Sequence, residues 1–372
     1  MLNTKSLGIV FANMHDSNLG EMTEIRSMSS LPFGGRYRLI DFYLSSLVAA
    51  GVTKVGVIAK NNYHSLMDHL GSGRPWDLSR KRDGLSIFPP HSLSQEDYYH
   101  GRVEALHNII DYIRNSAANY VVMMDCDHVC NLDVEEIINY HIATKADVTV
   151  VCRTRLDGND TTSDSVAVKC DEHGRVKELL FDAFEKDCVE SMNVFIVARD
   201  KLVNLIEQAQ SRRKIYFERD VLLSQLGKLH VQSYMFKGFC RRVFDTKSYF
   251  SANMALLDPC NMHALFVPER PVYTKVRDDA PVRYGLNAKV KNSLIADGCV
   301  VLGDVENCLL FRGVTVGEDA VLRNSIVMQD TIIGENSDLS YIITDKNVTV
   351  GASRSLMGHE NYPLYIKKLS NI

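Results

Sequence analysis

From Val290 onward every sixth residue is small or aliphatic: Val290, Ala296, Leu302, Cys308, Val314, Ala320, Ile326 and Ile332. Gly298, Gly303, Gly313, Gly317 and Gly334 are interspersed among them. Neither the 3.6-residue period of a helix nor the two-residue period of a strand produces that spacing. A chain wound into a flat-sided coil does, because each side turns one residue inward per hexad. The repeat predicts a hexapeptide β-helix, the alternative being an antiparallel β-domain with regular turns.

The chain ahead of the repeat follows a different pattern. Short runs that are apolar throughout, at 7–12, 54–59, 120–125, 147–152 and 191–197, are candidate strands buried on both faces. Amphipathic stretches lie between them, at 38–51 and 101–115; in the second, Leu106, Ile109, Ile110 and Ile113 share one helical face. This alternation predicts an α/β domain with a mostly parallel sheet covered on both sides. A helical stretch ends at Leu257, and Pro259, Pro268, Pro271 and Pro281 mark an irregular linker. The expected divisions are therefore 1–257, 258–283 and 284–372.

At 372 residues the chain is long enough for two domains. A formal net charge of −4 leaves no electrostatic footprint for nucleic acid or an anionic membrane. The N-terminal apolar run Leu7 to Ala12 is too short for a signal peptide or a membrane span. The nine cysteines are odd in number and scattered, and the spacing of Cys126 and Cys130 is neither a disulfide framework nor a zinc motif. A reducing cytoplasm is expected.

After the first strand, α/β nucleotide enzymes usually carry a glycine-rich phosphate loop; this chain reads Asn13, Met14, His15, Asp16, Ser17, Asn18. Without glycine the backbone does not easily approach a phosphate or adopt positive φ. Asp125 and Asp127 follow the strand at 120–125, where ligands bind in open α/β sheets, and either hold Mg²⁺ or cap the turn. Arg36 and Arg38 sit beside glycines, as an anion site or a solvated turn. Arg241 and Arg242 are placed to pair with a carboxylate if they face inward. No histidine occurs from 264 to 358, so the repeats lack the general base of a hexapeptide acyltransferase.

The segments PFGGRYRLIDF (32–42), SGRPWDL (72–78), YYHGRVEAL (98–106), DCDHV (125–129), SMNVFIV (191–197) and SYFSANMALLDP (248–259), followed by the hexads, run in order along nearly the whole chain. Together they resemble bacterial ADP-glucose pyrophosphorylase (glucose-1-phosphate adenylyltransferase). The resemblance implies a Rossmann-like nucleotidyltransferase domain followed by a left-handed β-helix, in a tetramer that makes ADP-glucose for glycogen. In that chemistry glucose 1-phosphate attacks the α-phosphate of ATP without a covalent intermediate, so positioning and charge neutralisation carry the rate.

Set against the family pattern, the residues that do this work are replaced in place. Two loop glycines become Asn13 and Met14, a third becomes Asp16, the loop arginine becomes Asn18, and the lysine before the family's PAVPFGG becomes Met28. The family's GTADA segment reads GRVEA, with Arg102 for the threonine and Glu104 for the aspartate. Its FG pair becomes Ser165 and Val166, and its SMG becomes Ser191, Met192 and Asn193. The sugar-phosphate lysine has no clear counterpart, Lys186 being reachable only by a shifted alignment. Of two metal aspartates one is matched by Asp127 and the other falls on Arg242, which is expected to form a salt bridge with Asp127.

The resemblance thus implies the family's divergent, non-catalytic second subunit. It is expected to carry no cofactor, to leave Mg²⁺ and ATP to a catalytic partner, and to modulate that partner allosterically within a heterotetramer. Arg26 and Arg38 match the family's anionic effector cleft between the domains, and interface or surface arginines are the alternative. Two other readings stay open: a sugar nucleotidyltransferase or sugar-phosphate binder using Asp125, Asp127 and Arg242 in a new arrangement, and an acyltransferase or unrelated scaffold, which the histidine-free repeats disfavour.

Overall fold

A computed structural model describes residues 5–90, 99–155, 165–183, 185 and 187–372; Lys186 lies outside the described residues. The first domain is built on a nine-stranded mixed sheet. Strands Ser6–Phe11, Lys54–Ile58, Gly84–Phe88 and Tyr120–Asp125 are parallel, as are Val148–Arg153 and Val231–Phe236. The long strand Val189–Ala198 runs antiparallel between the two parallel groups. Each apolar strand serves two cores. Val10, Val57, Val122, Met124 and Val194 face one cluster, and Ile9, Phe11, Val121, Met123 and Phe195 the other. Both faces being buried explains why these strands read as continuous apolar runs without alternation.

The amphipathic stretch at 38–51 forms the helix Leu39–Ala49, whose first turn is held by Asp41 accepting from the Arg38 backbone N–H at 2.9 Å. The stretch at 101–115 is two short helices, Arg102–Asn108 and Ile110–Arg114, broken at Ile109. Leu106, Ile109 and Ile113 are buried and Ile110 is partly so.

After the helix Pro259–Leu265 the chain turns at 267–270 and continues without helix or strand to the first coil strand, Arg283–Tyr284. The C-terminal part is three parallel five-stranded sheets, the faces of a β-helix. The repeat that builds it is not strictly six. On one face, stacked partners stand fifteen residues apart at the first step (Leu294, Leu309), seventeen at the next two (Leu309, Ile326, Ile343) and twenty-two at the last (Ile343, Tyr365). Each corner carries a residue in the left-handed region; Asn307, Gly313, Asp319 and Asn324 follow one another at steps of six, six and five residues, with φ of 53, 73, 55 and 46°. The five-residue side, from Asp319 to Asn324, is one residue short, so a period-six frame drifts. Cys308, Val314 and Ala320 line the coil interior as expected. Ile326 instead faces outward onto the first domain, and Val290 and Ile332 are 39% and 49% exposed.

That outward face fuses the two parts. Leu309, Phe311, Ile326, Met328 and Ile343 belong to the same apolar cluster as Phe33, Phe42, Tyr249 and Leu256. One ion pair is sealed in this seam: Arg26 Nη2 lies 2.5 Å from Asp345 Oδ2, and both side chains are buried. Asp345 also accepts from Tyr365 Oη at 2.6 Å and from its neighbour's backbone, Lys346 N, at 2.6 Å. Nearer the surface, Lys367 bridges Glu21 and Glu24 at 3.1 and 3.3 Å. Removing one partner of a buried pair strands the other charge, at a cost of about 3–5 kcal/mol. Asp345→Asn is therefore expected to lose stability of that order in urea unfolding, and Arg26→Met with Asp345→Asn to recover part of it.

Candidate functional site

The site lies at the carboxyl ends of the parallel strands, and its first element is the glycine-free loop. Asn13 ties the loop to the next strand's exit: its Oδ1 accepts from Lys60 N at 3.0 Å and its Nδ2 donates to Asn61 O at 3.2 Å. The same amide donates to Asp16 Oδ2 at 2.5 Å, and Asp16 Oδ1 accepts from Met28 N at 2.8 Å. Thr23 Oγ1 donates to the carbonyls of Asp16 and Gly20. Side chains thus close residues 13–28 onto themselves. Burial pushes the Asp16 carboxyl up to about 6, against the pull of the Met28 and Asn13 hydrogen bonds. Asp16 is therefore a brace inside the loop more than a charge projected into a binding cleft. Met28 is buried in the apolar core, and Asn18 is exposed.

Asp125 ends its strand, and Asp127 precedes a two-stranded ribbon in which His128–Cys130 pairs antiparallel with Cys240–Arg242. Both carboxylates are fully buried. Asp125 is clamped by Arg102, whose Nε lies 3.2 Å from Oδ1 and whose Nη atoms reach Asp125 and Glu218. His15 Nε2 stands 2.7 Å from Asp125 Oδ2 and 3.8 Å from Asp127 Oδ2. Burial lowers the Arg102 guanidinium, but Asp125 and Glu218 outweigh it and keep it protonated.

Asp127 is saturated. Its Oδ1 takes the His128 ring at 2.8 Å, and its Oδ2 takes Asn193 Nδ2 at 2.9 Å and Arg242 Nε at 3.3 Å. The ion pair expected from the sequence is present, because ribbon register sets Arg242 opposite His128. Burial raises the Asp127 carboxyl, yet His128, His15 and Arg242 together hold it well below the usual carboxylate range. Arg242 reaches Glu190 at 3.5 Å, and Glu190 is in turn paired to Arg153 at 2.6 Å. Asn193 makes its contact from a β-bulge with φ of 55°, a left-handed conformation that asparagine tolerates better than most residues. Ser191 Oγ accepts from Asn193 N at 3.2 Å, and Glu104 accepts from His100 N at 2.6 Å, away from the two aspartates.

A cleft of about 310 Å³ opens over this network, lined by Met14, His15, Arg102, Asn193, Tyr216 and Glu218 among others. The residues present do not fit a Mg²⁺ site. Where a second carboxylate would complete it stands the Arg242 guanidinium, and Asp125 is held by Arg102. Among the described residues no group of three or more histidine, cysteine or acidic side chains is placed to hold a metal.

A second, smaller cleft lies between the domains, lined by Arg38, Lys275, Arg277, Arg312 and Lys346, with Asp68 on its rim. Burial lowers Arg38 to about 10, and its Nη1 donates to Ser65 O and Oγ at 2.8 and 2.9 Å. Burial, with Arg38 and Arg26 nearby, lowers the Lys346 ammonium to about 7. Arg26 does not line this cleft beside Arg38, as the sequence reading has it; Asp345 already supplies its anion. Arg153, Glu190 and Glu218 escape the sequence reading, since nothing local marks them, and Lys346 is only a corner residue of the coil.

Comparison with known proteins agrees with this architecture. Residues 15–256 match the nucleotidyl transferase family and residues 278–361 the GlmU-like C-terminal hexapeptide family. The glycogen biosynthesis protein GlgD of Bacillus subtilis is 34% identical over 368 residues, covering 99% of this chain and 97% of that protein. GlgD of Geobacillus stearothermophilus is 36% identical over 322 residues, covering 86% and 84%. Glucose-1-phosphate adenylyltransferase of Thermotoga maritima is 31% identical over 326 residues, covering 86% and 76%. With an α/β domain, a β-helix and relatives matched along nearly its whole length, the chain belongs to the ADP-glucose pyrophosphorylase family of nucleotidyltransferases, where it is similar to the GlgD proteins.

Proposed function

We propose that this chain is a non-catalytic regulatory subunit in glycogen biosynthesis, which associates with a catalytic ADP-glucose pyrophosphorylase subunit and modulates its ADP-glucose synthesis. The observation that carries the proposal is the Arg242–Asp127 pair. Phosphoryl transfer needs a divalent cation and donors aimed at the charge moving onto pyrophosphate. Here a guanidinium sits against the one surviving metal aspartate, and the loop that would cradle phosphates is tied shut by Asn13 and Asp16. Losing one transition-state contact typically costs ~2.7–4 kcal/mol, about 10²–10³ in rate. Several are lost together, and even with strong non-additivity the residual activity is negligible.

The scaffold around this site is intact, with three apolar cores among the described residues. A fold without its chemistry acts through association, by contacts that favour one conformation of a neighbour. The cationic cleft between the domains supports an effector role as well. Arg38, Lys275, Arg312 and Lys346 converge there with fewer acids than bases, suiting a small phosphorylated anion. Mg²⁺ and ATP are left to the catalytic partner.

Purified chain with ATP, glucose 1-phosphate and Mg²⁺ is expected to show no turnover, and its addition to the catalytic subunit to change turnover or effector response. Robust synthesis by the chain alone contradicts the proposal, and unchanged kinetics in the mixture contradict the regulatory part. Arg242→Asp alone is expected to restore no ADP-glucose synthesis, since the loop stays closed; measurable product from that variant counts against the multiple-lesion argument. Sulfate has a constant charge near neutrality, and its binding to the cleft, followed by calorimetry, is expected to weaken as pH rises through about 7 and Lys346 loses its charge. Lys346→Gln is expected to weaken it at pH 6 and to flatten the pH dependence.

A further inference from the structure

The ribbon that carries Arg242 also carries two thiols with no part in the function proposed above. Cys130 and Cys240 are direct register partners across its antiparallel ladder. They are 2% and 7% exposed, and each thiol bears on the other's protonation. Facing residues of an antiparallel pair have Cβ atoms about 4.5–5.5 Å apart and Cα atoms within the span that a disulfide bridges. Other cysteines lack this arrangement among the described strand pairings: Cys152 pairs with Ser191, and Cys170 with Val176.

We propose that Cys130 and Cys240 are a reversible redox pair, which a hydroperoxide converts to an intramolecular disulfide that fixes the ribbon holding Arg242 on Asp127. Cys240, the less buried, is the attacking sulfur. Burial raises its thiol, while the neighbouring Cys130 thiol, His128 and Arg153 together bring it below the ordinary thiol range, which favours the nucleophilic thiolate. Its sulfur attacks one peroxide oxygen, the O–O bond breaks, and the other oxygen leaves as water or alcohol after taking a proton. The resulting sulfenic acid is attacked by the Cys130 sulfur. The S–O bond breaks, and hydroxide departs with the Cys130 proton as water. Two thiols lose two electrons and the peroxide gains them; exchange with a dithiol reverses the step.

Joining positions 130 and 240 closes a long loop of chain, so the oxidised form is constrained before it folds and melts at higher temperature. The ribbon also opens less often, which protects its amides from exchange.

The test treats the full chain with hydrogen peroxide under native conditions, blocks free thiols with N-ethylmaleimide in denaturant, and maps peptides by mass spectrometry without reductant. The expected result is a linked peptide joining Cys130 to Cys240, a rise of several degrees in Tm, and loss of both on dithiothreitol. Cys130→Ser and Cys240→Ser are each expected to abolish the link and the shift. The proposal is overturned if peroxide that oxidises exposed Cys260 leaves Cys130 and Cys240 unlinked. It is equally overturned if Cys240 goes to sulfonic acid without a link, or if only a Cys170–Cys188 bridge appears.

Discussion

Two buried carboxylates, Asp125 and Asp127, set the terms for everything around them. Ions of that size lose several kcal/mol each on leaving water, so they stay charged only if the fold supplies cations and donors. Here it supplies Arg102 and His15 to the first, and Arg242, His128 and Asn193 to the second. A site that binds metal leaves that debt for the incoming ion to settle. In this chain it is already settled by side chains, with Glu190 and Glu218 balancing the outer faces of Arg242 and Arg102. The network extends outward through Arg153 and downward through Tyr43, whose hydroxyl donates to His128 O at 2.8 Å.

The same substitution of internal contacts for a ligand recurs in the loop and at the seam. Asp16 accepts the backbone N–H of Met28, and Met28 fills apolar space. Farther along the same segment, Glu21 and Glu24 meet Lys367, and Arg26 is sealed against Asp345. The segment from 13 to 28 therefore links the sheet to the β-helix. This gives the proposed regulatory role a physical route: a shift of the β-helix against the first domain pulls directly on the loop above Asp125 and Asp127.

Much of this was legible in the sequence, for identifiable reasons. Strands such as 7–12 and 120–125 are apolar on both faces and short, which fixes their burial; it says nothing of direction, and Val189–Ala198 runs antiparallel. Period-six spacing identified a coil, while the five-residue side from Asp319 to Asn324 is invisible to that period and moved Ile326 to the outside. Arg242 facing Asp127 was reachable because both sit at fixed distances from recognisable segments. Glu190 and Arg153 were not, since their meeting depends on register across separate strands, and neither was Glu218, which reaches Arg102 from the helical segment Phe217–Leu223. Arg26 was open to two readings, an effector-cleft residue or an interface arginine, and the second describes it: its partner is Asp345, over three hundred residues away.

The proposed account turns on whether internal cations exclude the metal. Titration of the chain with Mn²⁺ in the presence of ATP, followed by electron paramagnetic resonance, measures this directly. The account predicts free Mn²⁺ and its ATP complex only, with the same spectrum for Asp127→Asn. A saturable, protein-held Mn²⁺ signal that disappears in Asp127→Asn would contradict it.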